Sequence, residues 1–147
     1  MSKLNLNEKY NPLFESDCRY FIITGGRGSG KSFAVTVFLT ILTMTEGIRI
    51  LFTRYTMVSA HLSIIPEFLE KISLLGFESI FSINKAEVVN LGNQSDILFR
   101  GIKTSSGNQT ASLKSLQGIS TWVLDESEEL IDEDIFDTID LSIREKN

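Results

Sequence analysis

The sequence contains little cysteine, histidine and proline, and it has no long apolar run. A single cysteine, Cys18, excludes an internal disulfide and fits a reducing, intracellular setting. With one histidine as well, the chain has no Cys/His cluster with the spacing of a zinc site. Residues 33–44 form the longest apolar segment, but threonines interrupt it, and a membrane span needs roughly 20 apolar residues. No N-terminal stretch resembles a secretory signal. We therefore expect an intracellular protein that does not cross a membrane.

The negative charge of the chain is concentrated in one short stretch. The net charge is −5, yet seven of the ten residues 125–134 are acidic and none of them is basic. The remaining residues carry 12 acidic and 14 basic side chains, a balance of +2. Because this balance is nearly neutral, the global charge neither favours nor excludes a nucleic-acid partner. The length of 147 residues is sufficient for one domain with a sizeable core.

Apolar periodicity predicts strands and helices that alternate along the chain. Buried strands are expected at residues 19–24, 49–54 and 122–124, and helices at 31–45 and 62–75. The acidic stretch is expected to open a third helix, which carries Leu130, Ile131, Ile135, Ile139 and Ile143 on one side. Gly92 and Asn93 are expected to join two short strands, 87–91 and 96–100, as a β-hairpin. This order predicts an α/β fold with a mainly parallel sheet flanked by helices, plus the hairpin.

A glycine-rich loop follows the first predicted strand and precedes the first predicted helix. It consists of Gly25, Gly26, Arg27, Gly28, Ser29, Gly30, Lys31 and Ser32, which fit the P-loop, or Walker A, pattern. Its glycines let successive backbone N–H groups surround phosphate oxygens, and the helix start adds positive potential. Lys31 is expected to reach the β- and γ-phosphates of ATP, and the Ser32 hydroxyl group to bind Mg²⁺. The pattern therefore predicts an ATP site at residues 25–32.

Two adjacent carboxylates follow the last predicted strand, as in a Walker B motif. Asp125 is expected to hold Mg²⁺ through its water shell, and Glu126 to orient or deprotonate the attacking water. A glutamate in this adjacent position is typical of ATPases that perform mechanical work. It favours hydrolysis over phosphoryl transfer to a metabolite. Acidic residues also start helices as caps, so only the combination with the loop predicts a hydrolytic site.

Three further features have more than one interpretation. Arg27 is a solvated side chain on the loop rim, a partner for a nearby carboxylate, or an arginine finger supplied in cis to the γ-phosphate. Arg54 ends the second predicted strand, at the sheet edge that carries the site in such folds, so nucleotide sensing or DNA contact is a hypothesis for it. Tyr10, Asn11 and Pro12 either cover an adenine ring or form a surface turn.

With both motifs placed, the chain resembles the N-terminal ATPase region of bacteriophage terminase large subunits. The resemblance rests on residues 20–32, in which Arg27 is characteristic, and on residues 50–54. It continues through residues 115–118, 122–126 and 129–130, and it spans about residues 11–144. Many ATPases share the P-loop and the Asp-Glu pair, whereas Arg27 and the order of the other segments are more specific.

The resemblance implies ATP hydrolysis with Mg²⁺, coupled to translocation of double-stranded DNA from a viral concatemer in the cytoplasm of the bacterial host. It also implies the terminase small subunit and the portal ring of the procapsid as partners. Such proteins continue into a coupling motif, further ATPase strands and a nuclease domain. We therefore expect residues 1–147 to form a single, partial P-loop ATPase domain without the nuclease, as in a truncated prophage remnant. The alternatives are another P-loop DNA translocase or helicase-like ATPase, and a truncated chain without activity of its own.

Overall fold

The computed structural model describes residues 5–45, 47–56, 58–104, 107–108, 113 and 116–143, with their side chains except those of 58–63, 104, 107 and 108. The helices of this part are α1 (Pro12–Glu15), α2 (Lys31–Leu42), α3 (Val58–Leu74) and α4 (Glu133–Asp140), with 3₁₀ turns at Glu8–Tyr10 and Ser127–Glu129. The strands are β1 (Arg49–Thr56), β2 (Phe81–Ile83), β3 (Glu87–Asn90), β4 (Asp96–Thr104), β5 (Gly107–Asn108) and β6 (Thr121–Leu124). Within these ranges, every helix is too short or too polar to cross a membrane.

The described strands form one sheet in the order β2-β3-β4-β1-β6, and β5 pairs with the end of β4. The central strand β1 runs parallel to both neighbours, with Ile50 opposite Ile97 of β4 on one side and Thr121 of β6 on the other. The remaining pairings are antiparallel and include the β3–β4 hairpin. The predicted α/β sheet with a hairpin is therefore confirmed. Its parallel strands differ from those expected, because the second hairpin strand, β4, pairs with β1.

Alternation of side chains along the central strands gives the sheet an apolar core on each face. On one face, the rings of Phe52, Phe68 and Phe99 meet with centroids 5.3 to 6.0 Å apart, within the cluster that includes residues of α2 and α3. On the other face, Leu51 belongs to a cluster with Ile139 of α4. Because both faces are covered, the central strands are apolar almost continuously, as is typical of parallel sheets.

The first predicted strand, residues 19–24, is not part of the sheet. These residues lack regular secondary structure, and Tyr20, Phe21 and Ile22 are 55%, 39% and 89% exposed. The prediction of a buried strand at this position is therefore wrong. Aromatic and β-branched residues fit a pleated surface, but a strand forms only where its N–H and C=O groups find a pairing partner. In the described part of the chain, β6 pairs with β1 alone, and residues 19–24 do not extend the sheet beyond it.

Two further expectations concern β6 and the residues that follow it. Residues 121–124 are half-buried rather than buried, because only one neighbouring strand covers them. The helix predicted to open in the acidic stretch is divided into a 3₁₀ turn and α4, and Ile131 between them is 93% exposed. Asp132 starts α4, since its side chain accepts a hydrogen bond from the amide of Ile135.

Helix α2, which the sequence predicts correctly, is held at its C-terminal end by the loop of the β3–β4 hairpin. The buried Asn90 donates a side-chain hydrogen bond of 3.1 Å to the carbonyl oxygen of Thr43, and Asn93 donates to the same oxygen at 3.0 Å. The Ser95 hydroxyl group donates to the carbonyl oxygen of Thr45 at 2.7 Å. Thr43 is the C-cap of α2 and Thr45 lies in the turn that follows, so these bonds fix the end of α2 against the hairpin loop.

Candidate functional site

Residues 25–30 form a turn that leads directly into α2, where the P-loop pattern is expected. Gly25 and Gly30 have φ angles of 149° and 81°, a region that residues with a Cβ rarely adopt. A Cβ at Gly25 would also lie 3.0 Å from Oγ of Ser29. Gly30 is the N-cap of α2, and its carbonyl oxygen accepts the first helical hydrogen bond from Ala34 at 2.9 Å. The turn therefore requires glycine at both of these positions.

The N-terminus of α2 is suited to an anionic ligand. Gly30 has no side chain that caps the helix, and none of the described side chains supplies such a cap. The first N–H groups of a helix lack partners within it and carry the positive end of the helix dipole. Ser32 lies exposed in this first turn. A phosphate group would therefore meet unsatisfied amides and a hydroxyl group at the start of α2.

The side chain of Lys31 folds back onto the loop. Its Nζ atom donates hydrogen bonds to the carbonyl oxygens of Gly25 and Gly26, the second at 3.1 Å, and lies 3.3 Å from Oγ of Ser29. The ammonium group thus lies close to the loop, where an anion would be a stronger partner than a backbone carbonyl. Arg27 is exposed and makes no side-chain hydrogen bond or ion pair with the part of the chain that the structure describes.

Tyr10 supports the loop, a role that the sequence did not indicate. It is only 6% exposed, and its hydroxyl group donates a hydrogen bond of 2.9 Å to the carbonyl oxygen of Ser29. Its neighbours Asn11 and Pro12 are exposed. Pro12 borders an open groove of about 300 Å³ that lies between residues 9–13 and residues 21–24. Asn11 and Pro12 lie at the start of α1, whereas Tyr10 is buried against the loop.

The two predicted acids lie side by side at the carboxyl edge of the parallel strands. The amide of Asp125 donates to the carbonyl oxygen of Thr53 at 2.9 Å and continues the pairing of β6 with β1. Glu126 adopts a left-handed conformation with φ 51° and ψ 52°, which costs a residue other than glycine about 1–2 kcal/mol. The side chains of Asp125 and Glu126 are 30% and 47% exposed, so both are accessible from solvent.

Arg54, near the end of β1, contacts both acids. Its Nε atom donates to Oδ2 of Asp125 at 2.7 Å, and its Nη2 atom donates to Oε1 of Glu126 at 3.1 Å. The Arg54 side chain is only 13% exposed. The sequence predicts this arginine at the edge of the sheet, and the structure adds its contact with the carboxylate pair.

Charged residues of α3 connect the start of α2 with the carboxylates. Nζ of Lys71 lies 4.9 Å from the ring centre of Phe33, in the first turn of α2. Glu67 is one turn earlier in α3, and burial raises its pKa above the ordinary value. The positive charge of Lys71 opposes this shift, the negative charge of Asp125 adds to it, and Arg54 opposes it. Phe33 of α2 therefore lies against this turn of α3, and the charge of Asp125 acts on it across space. The sequence does not single out Glu67 and Lys71, because a spacing of four residues on a helix is also typical of an exposed ion pair.

The arrangement fits Mg²⁺ bound together with a nucleotide better than a metal held by the protein alone. Among the described residues, no group of three or more His, Cys, Asp or Glu side chains is arranged to hold a metal. Mg²⁺ usually binds through one or two carboxylates together with substrate phosphates and water. The exposed hydroxyl group of Ser32 and the carboxylate of Asp125 are ligands of this kind.

Comparison with known proteins identifies the family of the chain. Residues 17–147 match the family model of the phage terminase large subunit. A search of curated proteins finds no match. Large subunits of this family are generally ATPases, and the match indicates a role in phage DNA packaging. Because the match covers most of the sequence, the chain belongs to the phage terminase large subunit family.

Proposed function

We propose that this chain binds ATP with Mg²⁺ at residues 25–32 and hydrolyses it as part of a motor that translocates double-stranded DNA. The observation that carries the proposal is the start of α2. There, a glycine-rich turn and an uncapped helix N-terminus are combined with the ammonium group of Lys31. This combination supports a P-loop, which binds nucleotide phosphates, as the interpretation of residues 25–32.

The loop residues have distinct roles in this proposal. The backbone amides of residues 25–30 and of the first turn of α2 bind the phosphate oxygens. Lys31 exchanges its bonds with the carbonyl groups of Gly25 and Gly26 for the β- and γ-phosphates. Ser32 and Asp125 would hold Mg²⁺, which when bound would neutralise charge on the phosphate oxygens. The groove beside Pro12 is a place for the base of the nucleotide.

Glu126 is the proposed base for hydrolysis. Its carboxylate accepts a proton from the water that attacks the γ-phosphorus, while the bond between the γ-phosphorus and the bridging oxygen breaks and ADP leaves. Its side chain is half exposed, so water reaches it. Arg27 is a second candidate in the chemistry. Since its side chain is exposed on the loop, it is available to stabilise charge on the γ-phosphate in cis.

Membership in the terminase family supports the wider part of the proposal. The DNA is a viral concatemer, the partners are the terminase small subunit and the portal ring of the procapsid, and the place is the cytoplasm of the bacterial host. Movement of DNA also requires residues that couple hydrolysis to a change of shape. We assign none of these to the described residues.

A matched pair of lysine variants tests nucleotide binding. Lys85 is exposed in the turn between β2 and β3, so Lys85→Ala controls for the loss of a surface charge. We expect Lys31→Ala to weaken binding of a fluorescent ATP analogue with Mg²⁺ by at least about tenfold, because one charge-assisted contact is worth 1.5–3 kcal/mol. Lys85→Ala should bind as the unaltered chain does. Equal affinity of the Lys31→Ala variant and the unaltered chain would contradict the proposed site.

Hydrolysis is tested separately, with Mg²⁺ and double-stranded DNA present. Glu126→Gln should bind the ATP analogue normally and lose about 10²-fold or more in turnover, the usual contribution of a general base. Unchanged turnover in Glu126→Gln would contradict the assigned base. Tight binding of ATP without any turnover by the unaltered chain would instead favour the alternative that the chain has no activity of its own.

A further inference from the structure

The ammonium group of Lys71 is a buried positive charge that the proposed reaction does not use. The Lys71 side chain is 8% exposed, and its Nζ atom lies 3.0 Å from Oε1 of Glu70, whose side chain is 65% exposed. A lysine is almost never fully buried unless a partner compensates for the water that it loses. An exposed carboxylate compensates only weakly, because water screens its charge. The burial of Lys71 therefore calls for a further explanation.

Phe33, in the first turn of α2, is the second neighbour of this ammonium group. Nζ of Lys71 lies 4.9 Å from the centre of the Phe33 ring, within the range of a cation–π interaction. The first helical hydrogen bond of α2 is donated by Ala34 to Gly30, so the amide of Phe33 precedes this bond and lacks a partner within the helix. Phe33 thus carries one of the amides that a phosphate group would meet, and its ring lies beside the Lys71 ammonium group.

The charges around Lys71 link it to the candidate site. Glu70 pairs with it, and Glu67, one turn earlier in α3, interacts with it electrostatically. Glu67 also interacts with Asp125, so its negative charge acts close to the site. Arg54 offsets Glu67 from the side of β1, whereas Lys71 acts on both glutamates. Without Lys71, the two glutamates of α3 would repel the phosphate groups of a nucleotide at the start of α2.

We propose that Lys71 is a positioning residue for the phosphate groups of the nucleotide. It acts through Phe33, whose ring it holds at the start of α2, and through its charge, which offsets that of Glu67 and Glu70. This inference rests on the proposed binding of ATP at residues 25–32. In it, Lys31 contacts the phosphate groups and Lys71 does not.

Lysine variants with and without the charge test this role. Lys71→Met keeps an unbranched side chain and removes the charge, Lys71→Arg keeps the charge, and Lys85→Met removes an exposed charge from the turn between β2 and β3. We expect Lys71→Met to weaken binding of the fluorescent ATP analogue with Mg²⁺ by about tenfold, because a buried charge is poorly screened. Lys71→Arg should recover most of this loss, and Lys85→Met should bind as the unaltered chain does.

The number of phosphate groups separates an electrostatic role from a purely structural one. The same variants are compared with the ADP form of the fluorescent analogue. Since repulsion grows with the charge of the ligand, Lys71→Met should weaken ADP binding by only about threefold. Distortion of the loop alone would weaken the binding of both nucleotides equally.

Removal of an acid should have the opposite effect on affinity. Glu70→Gln deletes an exposed negative charge beside Lys71, so it should tighten ATP binding by about twofold at low ionic strength, and added salt should abolish the gain. Glu78→Gln is the control, because Glu78 is an exposed glutamate beyond the C-terminal end of α3 that bonds to Ser73. It should leave ATP binding unchanged.

A double-mutant cycle tests the contact with Phe33. Phe33→Leu removes the aromatic ring but keeps an apolar side chain. If the ring transmits part of the effect of Lys71, the loss of ATP affinity in the double variant Phe33→Leu/Lys71→Met should be smaller than the product of the two single losses. Single losses that simply multiply would overturn the proposal.

Equal ATP affinity of Lys71→Met and Lys85→Met would also overturn the proposal. So would equal losses for ATP and ADP without recovery by Lys71→Arg, because they would show a structural role only. If Lys71→Met does not fold, the decision rests on Glu70→Gln, for which unchanged or weaker ATP binding at low ionic strength is the contradicting result. Failure of the proposed function is distinguishable from these outcomes, because ATP binding by the unaltered chain would then be absent or insensitive to Lys31→Ala.

Discussion

The hydroxyl group of Tyr10 donates a hydrogen bond of 2.9 Å to the backbone carbonyl oxygen of Ser29, 19 residues further along the chain. This bond joins the N-terminal segment to the turn before α2. The opposite end of α2 is joined to the β3–β4 hairpin loop by Asn90 and Asn93. Helix α2 is therefore held at both ends by side-chain to backbone bonds, so the orientation of its N-terminus is set before any ligand arrives.

Tyr10→Phe is expected to loosen the loop without disturbing the core. It removes one hydrogen bond, which is worth about 1 kcal/mol of stability, and it leaves the aromatic ring in place. Binding of the fluorescent ATP analogue should weaken by about twofold to fivefold if half or more of that energy supports the bound form of the loop. Tyr55→Phe is the control, since Tyr55 belongs to β1 and its ring lies against Lys103 of β4 rather than against the loop. Identical affinity in the Tyr10→Phe and Tyr55→Phe variants would show that the bond does not preorganise the loop.

Asn90→Ala is expected to destabilise the fold by about 1–3 kcal/mol. Asn90 is 3% exposed, and its removal leaves the carbonyl oxygen of Thr43 with fewer donors and the amide of Gly92 without its side-chain acceptor. Urea unfolding measures the change. Asn11→Ala is the control, because Asn11 is exposed and its side chain does not cap α1, so its effect should stay within about 0.5 kcal/mol. Equal stability of the two variants would contradict the stabilising hydrogen bonds assigned to the buried Asn90 side chain.

Two glutamates are expected to respond to pH in opposite directions. Burial raises the pKa of Glu67, so Glu67 favours folding below its unfolded pKa, and this contribution is lost as the pH rises through the folded value. A hydrogen bond from Ser73 lowers the pKa of Glu78, so Glu78 contributes stability above its unfolded pKa and loses it as the pH falls.

The measurement is the free energy of unfolding between pH 3 and pH 7 for Glu67→Gln and Glu78→Gln. Relative to the unaltered chain, Glu67→Gln should gain stability as the pH rises above about 4.5, the region where glutamate ordinarily titrates. The effect of Glu78 falls below about 4.5 instead: as the pH rises towards that value, Glu78→Gln should lose stability relative to the unaltered chain, because its folded pKa is lowered. Trends of the same sign in the two variants would contradict the assigned environments.

Phe68→Ala is expected to cost about 3–5 kcal/mol, because it opens a cavity between α3 and the sheet. Phe68 is 1% exposed, and its ring packs edge to face with Phe52 and Phe99. Leu69 is the next residue of the same helix and is 46% exposed, so Leu69→Ala should cost much less. Thermal or urea unfolding compares the two. A similar loss at both positions would show that α3 packs with a different face than the structure has.

Some of the site was predictable from sequence because its residues are neighbours in the chain. The loop of residues 25–32 and the Asp125-Glu126 pair are local patterns. Each can be recognised without knowing how far it lies from the other along the chain. The position of Arg54 at the same edge was also predictable, since parallel strands end at one edge of a sheet. Its contacts with Asp125 and Glu126 were not, because they require the register of β1 against β6.

The errors have a common origin in strand pairing. Residues 19–24 have the composition of a strand but lie outside the sheet, while β4, expected only as a hairpin strand, pairs in parallel with β1. Composition describes how well a segment fits a pleated surface, but it does not name the partner that receives its hydrogen bonds.

Local sequence specifies the glycine turn before α2, the acid pair after β6 and the alternation of apolar residues in the central strands. Each of these depends on bonds and side chains within a few residues. Packing between distant segments, in contrast, brings Tyr10 to the loop and Arg54 to Asp125 and Glu126, and partly buries Glu67. These contacts join residues from different elements, and burial and electrostatics act across space rather than along the chain.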